Sequence, residues 1–359
     1  MVAGARPNFM KIAPIYRESL NHQRVECRIV HTGQHYDYVM SEAFFRDLDI
    51  PAPDFHLGAA TGSHAVQTAS IMTAFEELCR KEQPDLVMVV GDVNSTLACS
   101  IVAKKGHAKL AHVEAGLRSF DVTMPEEINR MVTDSISDYF FVTEESAVKN
   151  LLREGKNPGS IHFVGNVMID NLFHQLEKLD KTDPKLFATF ALKEEVKDYI
   201  FLTLHRPSNV DEMETFKTIA SALNQIASEK AILFPVHPRT AKMIAELGIT
   251  LSSNIHRLSP LGFQESLFLW KDSQVVLTDS GGLQEETTAL GVPCVTIREN
   301  TERPITLEMG SNILAGTSRE GILDSYRKSL NGGAKPKIIP KWDGKASERI
   351  WKALMDCAE

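Results

Sequence analysis

The stretch Gln274–Glu299, "QVVLTDSGGLQEETTALGVPCVTIRE", sets the fold. Two apolar runs, "QVVLTDS" and "PCVTIRE", flank a helical segment that the chain enters through Gly281 and Gly282. Continuous apolar runs alternating with helices mean parallel strands covered on both faces. The same alternation extends almost from end to end. "RIVHTG", "LVMVVGD", "AKLAHVE", "YFFVT" and "IHFVG" form a first set of strands, and "YIFLTLH", "AILFPVH" and "IHRLSP" complete the second. Helical stretches such as "AVQTASIMTAFEELCRK" and "DEMETFKTIASALNQIASE" lie between them. The expected fold class is therefore α/β, two doubly wound parallel-sheet domains.

A long helical and charged connection begins near Gly165 and places the boundary there, with domains at residues 1–166 and 167–344. The segment 345–359, "KASERIWKALMDCAE", reads as an amphipathic helix packing back on the first domain. "MVAGARP" leaves only a stub of strand before Gly4, the mark of a trimmed chain or of a short first strand.

The chain has 359 residues, enough for two cores. Its 43% hydrophobic and 24% charged content is that of an ordinary soluble globular protein. A net charge of −8 argues against nucleic acid or an anionic membrane as the main partner. The five cysteines show neither a CxxC pair nor metal-ligand spacing, and read as buried thiols in a reducing compartment. No segment resembles a signal peptide or a membrane span, so a cytoplasmic location is expected.

In open parallel sheets the ligand lies beyond the carboxyl ends of the strands. The first domain delivers Arg6, Gln34, His35, Asp92 and Glu114 to those ends. The second delivers His205, His237, Ser280 with Gly281 and Gly282, and Arg303. One polar strand end is unremarkable, whereas a row of them makes a site. Each residue also has a plainer reading. Asp92 suits a turn before a helix, His205 and His237 could be satisfied core histidines, and Lys11 an ordinary solvated side chain. Glu126 and Glu127 favour the dipole at the start of "MPEEINRMVTD", and Arg130 stands at ion-pair spacing from Glu126. Neither histidine has a further ligand nearby in sequence, so no metal is inferred.

Around Gly281 both readings meet. Acidic residues early in a helix complement its dipole, yet Ser-Gly-Gly at a helix start also bares backbone amides to a phosphate. With Ser280 near the N-cap, those amides can hold a diphosphate. Glu286 lies one turn deeper on the face of Gly282, placed to accept from the hydroxyls of a ribose. Glu285 is turned about 100° away and reads as structural. Phosphate and carboxylate are compatible if the ligand is a nucleotide.

"GARPNFMKIAP", "GDVNSTLA", "HVEAGLRSFD", "MPEEINR", "HRPSNVD", "PVHPR", "TDSGGLQEE" and "TERP" run in order from Gly4 to Pro304. Together with "DGKASERI" they resemble the non-hydrolysing UDP-N-acetylglucosamine 2-epimerases. The resemblance implies a GT-B architecture, two Rossmann-like domains with UDP in the cleft between them, and a homodimer. It implies interconversion of UDP-GlcNAc and UDP-ManNAc by elimination of UDP to a 2-acetamidoglucal and re-addition, without NAD or metal as cofactor. By motif, Asp92, Glu114, Glu126 and His205 match catalytic positions. Arg6, Lys11, Arg130, His237, Ser280, Gly281, Gly282, Glu286 and Arg303 match substrate-binding ones. Gln34, His35, Gln67 and Arg206 resemble a second site at which UDP-GlcNAc activates bacterial members.

Three departures bear on sugar recognition: Asn8 where the family often has Glu, "HRPSNVD" in place of "HRRENxG", and Ile305 where Glu is common. They keep open a modified UDP-sugar such as a 2,3-diacetamido uronic acid. A hydrolysing epimerase would share the elimination and release free N-acetylmannosamine. A GT-B glycosyltransferase would share the nucleotide site but need no base at C2. A UDP-sugar-binding protein without catalysis would not need Asp92, Glu114, Glu126 and His205 together.

Overall fold

The computed structural model describes residues 1–33, 42–332 and 338–358. Gln34 and His35 lie outside the described residues. The chain divides into two compact units, Met1–Asn171 with Pro340–Glu359, and Leu172–Ile339.

Unit 1 carries β1 (Val2–Ala3), β2 (Val30–His31), β3 (Phe55–His56), β4 (Leu86–Val90), β5 (Lys109–Val113), β6 (Tyr139–Val142) and β7 (Ile161–Phe163). All pairings are parallel, in the orders β1-β2-β3 and β4-β5-β6-β7. β1 lies against β4, so the strand order reverses there, which is where doubly wound sheets take their ligands. Alternate residues of the apolar strands serve two cores. Met88 and Val90 pack with Phe9, Ile12, Ile15 and Trp351, while Val87 and Val89 pack with Ile71, Phe75, Ala98 and Val102.

The helix Ala346–Ala358 lies on the helix Arg6–Ser19, where the Trp351 indole donates to the Ile15 carbonyl at 2.7 Å. The helix Val167–Asp180 spans the division between the units, five residues beyond the boundary expected from sequence. Its first turn is tied to unit 1 because buried Asp170 accepts from the Ala346 and Ser347 amides, at 3.0 and 2.7 Å.

Unit 2 carries β8 (Tyr199–Thr203), β9 (Ala231–Pro235), β10 (Ile255–Leu258), β11 (Val275–Thr278), β12 (Cys294–Thr296) and β13 (Asn312–Leu314). They form one parallel sheet, β10-β9-β8-β11-β12-β13. The order reverses between β8 and β11, whose last residues, Thr203 and Thr278, are in register and share a hydroxyl contact of 2.6 Å. The helices Met213–Ala227 and Arg319–Leu330 cover one face through Phe216, Ile219, Leu223, Ile322 and Tyr326.

Candidate active site

In unit 1 the carboxyl ends of the neighbouring strands β4 and β5 each deliver a carboxylate. Asp92 follows β4 and is 32% exposed; one of its oxygens accepts from Arg130 Nε and Nη2, at 3.0 and 2.7 Å. The Asp92 carbonyl accepts from Asn129 Nδ2 at 2.8 Å. Glu114 follows β5, is buried, and forms an ion pair with Lys11 Nζ. Its backbone sits at φ +69°, the left-handed region that side-chain-bearing residues seldom adopt. The amides of Glu114 and Ala115 both donate to the Phe141 carbonyl, which holds the turn. A non-glycine residue in that region costs about 1–3 kcal/mol, and such strain clusters at functional sites.

Gly91 sits between the two carboxylates at φ +68°. A Cβ there would lie 3.1 Å from Lys11 Nζ and 3.5 Å from Glu114 Oε2, so glycine leaves room for the pair. Asn8 closes the other side, accepting from the Gly4 and Ala5 amides and donating to the Val90 carbonyl at 3.3 Å. Asn8 is thus a buried brace between the β1 exit and the end of β4.

Behind the carboxylates lies a buried polar network. His112 has Asp134 at 2.7 Å from Nδ1 and the Gly91 carbonyl at 2.9 Å from Nε2. Asp134 also accepts from the Gly116 amide and pairs with Arg118, which in turn holds Glu154. Burial alone would raise the Asp134 carboxyl, but His112 and Arg118 hold it below its ordinary value.

In unit 2 Ser280 caps the helix Gly281–Leu290 with extended backbone, and its side chain makes no cap hydrogen bond. A Cβ at Gly281 would meet no protein atom within 4 Å, so packing does not demand glycine there. One turn in, Glu286 is buried, and its carboxyl is pushed up to about 8, first by desolvation and then by the neighbouring charge of Glu285. Glu285 pairs with Arg303 Nε at 2.9 Å.

His205 leaves β8 beside His237, with ring centroids 5.8 Å apart. His237 caps the helix Pro238–Glu246, its Nδ1 accepting from the Arg239 amide. Glu302 gathers cations. Burial opposes its ionisation, but bidentate Arg298, with Arg206 and Arg303 nearby, holds its carboxyl at about 2. Among the described residues, no group of three or more His, Cys, Asp or Glu could hold a metal ion.

Residues 17–355 match the family described as UDP-N-acetylglucosamine 2-epimerase. The chain belongs to this family. A UDP-N-acetylglucosamine 2-epimerase of Methanocaldococcus jannaschii is 42% identical, with 99% of this chain and 98% of that one covered. The crystal structure of the Methanocaldococcus jannaschii enzyme in complex with UDP-GlcNAc and UDP superposes with a TM-score of 0.86 at 41% identity, covering 99% and 98% of the two chains. A UDP-2,3-diacetamido-2,3-dideoxy-D-glucuronate 2-epimerase of Pseudomonas aeruginosa is 39% identical over 98% of both chains. Membership makes the protein an isomerase of the α/β, GT-B fold class, each unit a doubly wound parallel sheet.

Within unit 1 the structure brings Lys11, Asp92, Glu114 and Arg130 together at the strand ends. The Arg6 guanidinium lies over the Phe44 ring at 5.2 Å. Glu126 starts the helix Pro125–Ile136 half-buried. The expected Glu126–Arg130 pair does not form. Arg130 instead reaches Glu127 at 2.6 Å, because Glu127 points inward to accept from the Ser119 and Phe120 amides as well. Gln67 accepts from Asn94 Nδ2 at 2.8 Å, and Asn94 meets Asn129, so Gln67 is two side chains from the Asp92 carbonyl. Within unit 2, His205 and His237 lie together and Arg303 lies on Glu285, beside Glu286 in the same helix. Two of the five cysteines, Cys99 and Cys294, are buried as expected, whereas Cys357 is exposed.

Sequence reasoning missed Asn8 as a brace, Glu127 as the partner of Arg130, the network of His112, Asp134, Arg118 and Glu154, and Asp279. Asp279 stands within "LTDSGG" and is fully buried, accepting from the His205 and Arg206 amides. Its place directly after a strand and before the Ser280-Gly281-Gly282 turn was the available signal.

Proposed function

We propose that this protein interconverts UDP-GlcNAc and UDP-ManNAc by inverting C2 of the sugar. The reading rests most on one observation: adjacent parallel strands end in two carboxylates, each with its own cation, Asp92 on Arg130 and Glu114 on Lys11. The C2 proton is weakly acidic, so its removal needs a positioned carboxylate while the anomeric C–O bond breaks. Return of a proton to the opposite face needs a second carrier, and Asp92, Glu114 and Glu126 supply the set. UDP departs as 2-acetamidoglucal forms, then adds back. His205, Arg6, Arg303 and the amides after Ser280 stabilise the leaving diphosphate. Glu286 takes the ribose, and Lys11, Arg130, His237, Gly281 and Gly282 complete the substrate contacts.

The protein is proposed to act as a homodimer and to reside in the cytoplasm; its five free cysteines support the second part. A second UDP-GlcNAc bound by Gln34, His35, Gln67 and Arg206 would act as activator. The domain division is proposed to be functional as well, with proton chemistry in the first domain and nucleotide binding in the second.

Incubation with UDP-GlcNAc in heavy water, followed by proton NMR, tests the activity. UDP-ManNAc with deuterium at C2 of both sugars is the expected result. Free N-acetylmannosamine and UDP would instead mark hydrolysis. A second reading, a diacetamido uronic acid as the sugar, draws on the 39% identity to the Pseudomonas aeruginosa enzyme, close to the 42% of the archaeal one. Turnover of that sugar but not of UDP-GlcNAc would decide for it.

A further inference from the structure

Asp279 has no exposed surface, and its contacts converge on the exit of β8. One oxygen accepts from the amides of His205 at 2.9 Å and Arg206 at 2.8 Å, and from Asn209 Nδ2 at 3.3 Å. The other lies 2.9 Å from His205 Nδ1 and 3.1 Å from the His205 amide. Asn209 is itself anchored on the Ile297 carbonyl at 2.8 Å, so the frame around the carboxylate is fixed from one further point.

An ionised carboxylate only accepts hydrogen bonds; three N–H groups, the His205 and Arg206 amides and Asn209 Nδ2, already donate to this one, and a bare Nδ1 lone pair 2.9 Å from its other oxygen would be repelled. His205 Nδ1 must therefore carry a proton, leaving Nε2 as the ring nitrogen free to work. The side chain of His205 is 40% exposed, so the ring is pinned at one nitrogen and open at the other.

We propose that Asp279 is a positioning residue for the reaction: it fixes the tautomer and orientation of His205, so that Nε2 faces the leaving diphosphate. This rests on the reading of His205 as a working residue of the epimerase. The geometry also explains why an acid is needed at this position. In Asp279→Asn, the amide oxygen can keep the three contacts on the first carboxylate oxygen. The amide nitrogen then confronts His205 Nδ1 as a donor, which drives the proton of the neutral ring to Nε2.

The test uses the full chain with histidine labelled by nitrogen-15, as wild type, Asp279→Asn and His205→Ala. The His205 signal is assigned by its loss in His205→Ala. Wild type is expected to show the Nδ1–H tautomer, and the opposite tautomer would overturn the proposal whether or not any variant folds. Asp279→Asn is expected to lose about 10- to 100-fold in kcat, as when a ligating histidine loses its orienting partner, with KM changed less than about threefold. A merely structural Asp279 would leave the His205 tautomer unchanged in Asp279→Asn, and that result would overturn the proposal. If His205→Ala itself keeps turnover, the role given to His205 falls. If His205→Ala is inactive while Asp279→Asn keeps wild-type kcat and tautomer, only the positioning role falls.

Discussion

Replacing Glu286 by Gln separates what this carboxyl does for the ligand from what it costs the fold. Burial, then the charge of Glu285, raises its pKa from about 4.5 to about 8. A carboxyl raised in the folded state stabilises the fold fully below its unfolded value, and that stability is lost as pH rises through the folded one. At pH 7 the loss comes to about 3 kcal/mol, at about 1.4 kcal/mol per unit. Glu286→Gln has nothing to ionise, so it is expected to gain stability over wild type in denaturant melts as pH rises from 5 to 8.

Ligand binding should respond in the opposite sense. A ribose diol donates to a carboxylate, so only the ionised fraction binds well, roughly one part in a hundred at pH 6 and one half at pH 8. UDP affinity of wild type, read by calorimetry, should therefore rise roughly 50-fold from pH 6 to pH 8 relative to Glu286→Gln. The ratio removes the titration of the diphosphate itself. A ratio that stays flat with pH, or a variant with unchanged stability at pH 8, would refute the reasoning.

Other perturbations address the remaining parts. Asp92→Asn should abolish deuterium entry at C2 while UDP still binds, as measured by NMR and calorimetry; near-normal turnover would remove Asp92 from the chemistry. Lys11→Met leaves Glu114 buried without its cation, and a stability loss of about 3–5 kcal/mol is expected in urea melts at neutral pH. Gly165→Ala would place a Cβ 2.0 Å from the Lys341 carbonyl oxygen at φ +98°. Unit 1 should then melt several degrees lower, and an unchanged melting temperature would show that the Lys341 turn yields freely.

Much of this was legible because parallel sheets announce themselves. Strands buried on both faces read as continuous apolar runs, and the residue after each run is where the fold puts its chemistry. Asp92, Glu114 and His205 follow from that rule alone. Partner choice does not. Arg130 stands at helical spacing from both Glu126 and Glu127, and the amides of Ser119 and Phe120, seven or eight residues upstream of Glu127, decide between them. Glu285 read as structural, but the arginine it holds lies in the loop after β12, where no periodicity applies. The left-handed backbone of Glu114 is set by a carbonyl 27 residues away, at Phe141. His112, Asp134, Arg118 and Glu154 come from four separate segments and meet only in three dimensions.

Unit 1 is built from both ends of the chain, with Asp170 gripping the start of the helix Ala346–Ala358 and Trp351 seated over Ile15. Unit 2 is continuous, so a ribosome releases it whole while the first unit still lacks its closing helix. The carboxylate-bearing unit therefore completes its core last, although most of it is synthesised first. A premature stop ahead of Ala346 would spare the contacts of the Ser280–Gly282 turn and strike the Asp92 and Glu114 strand ends more than 200 residues upstream.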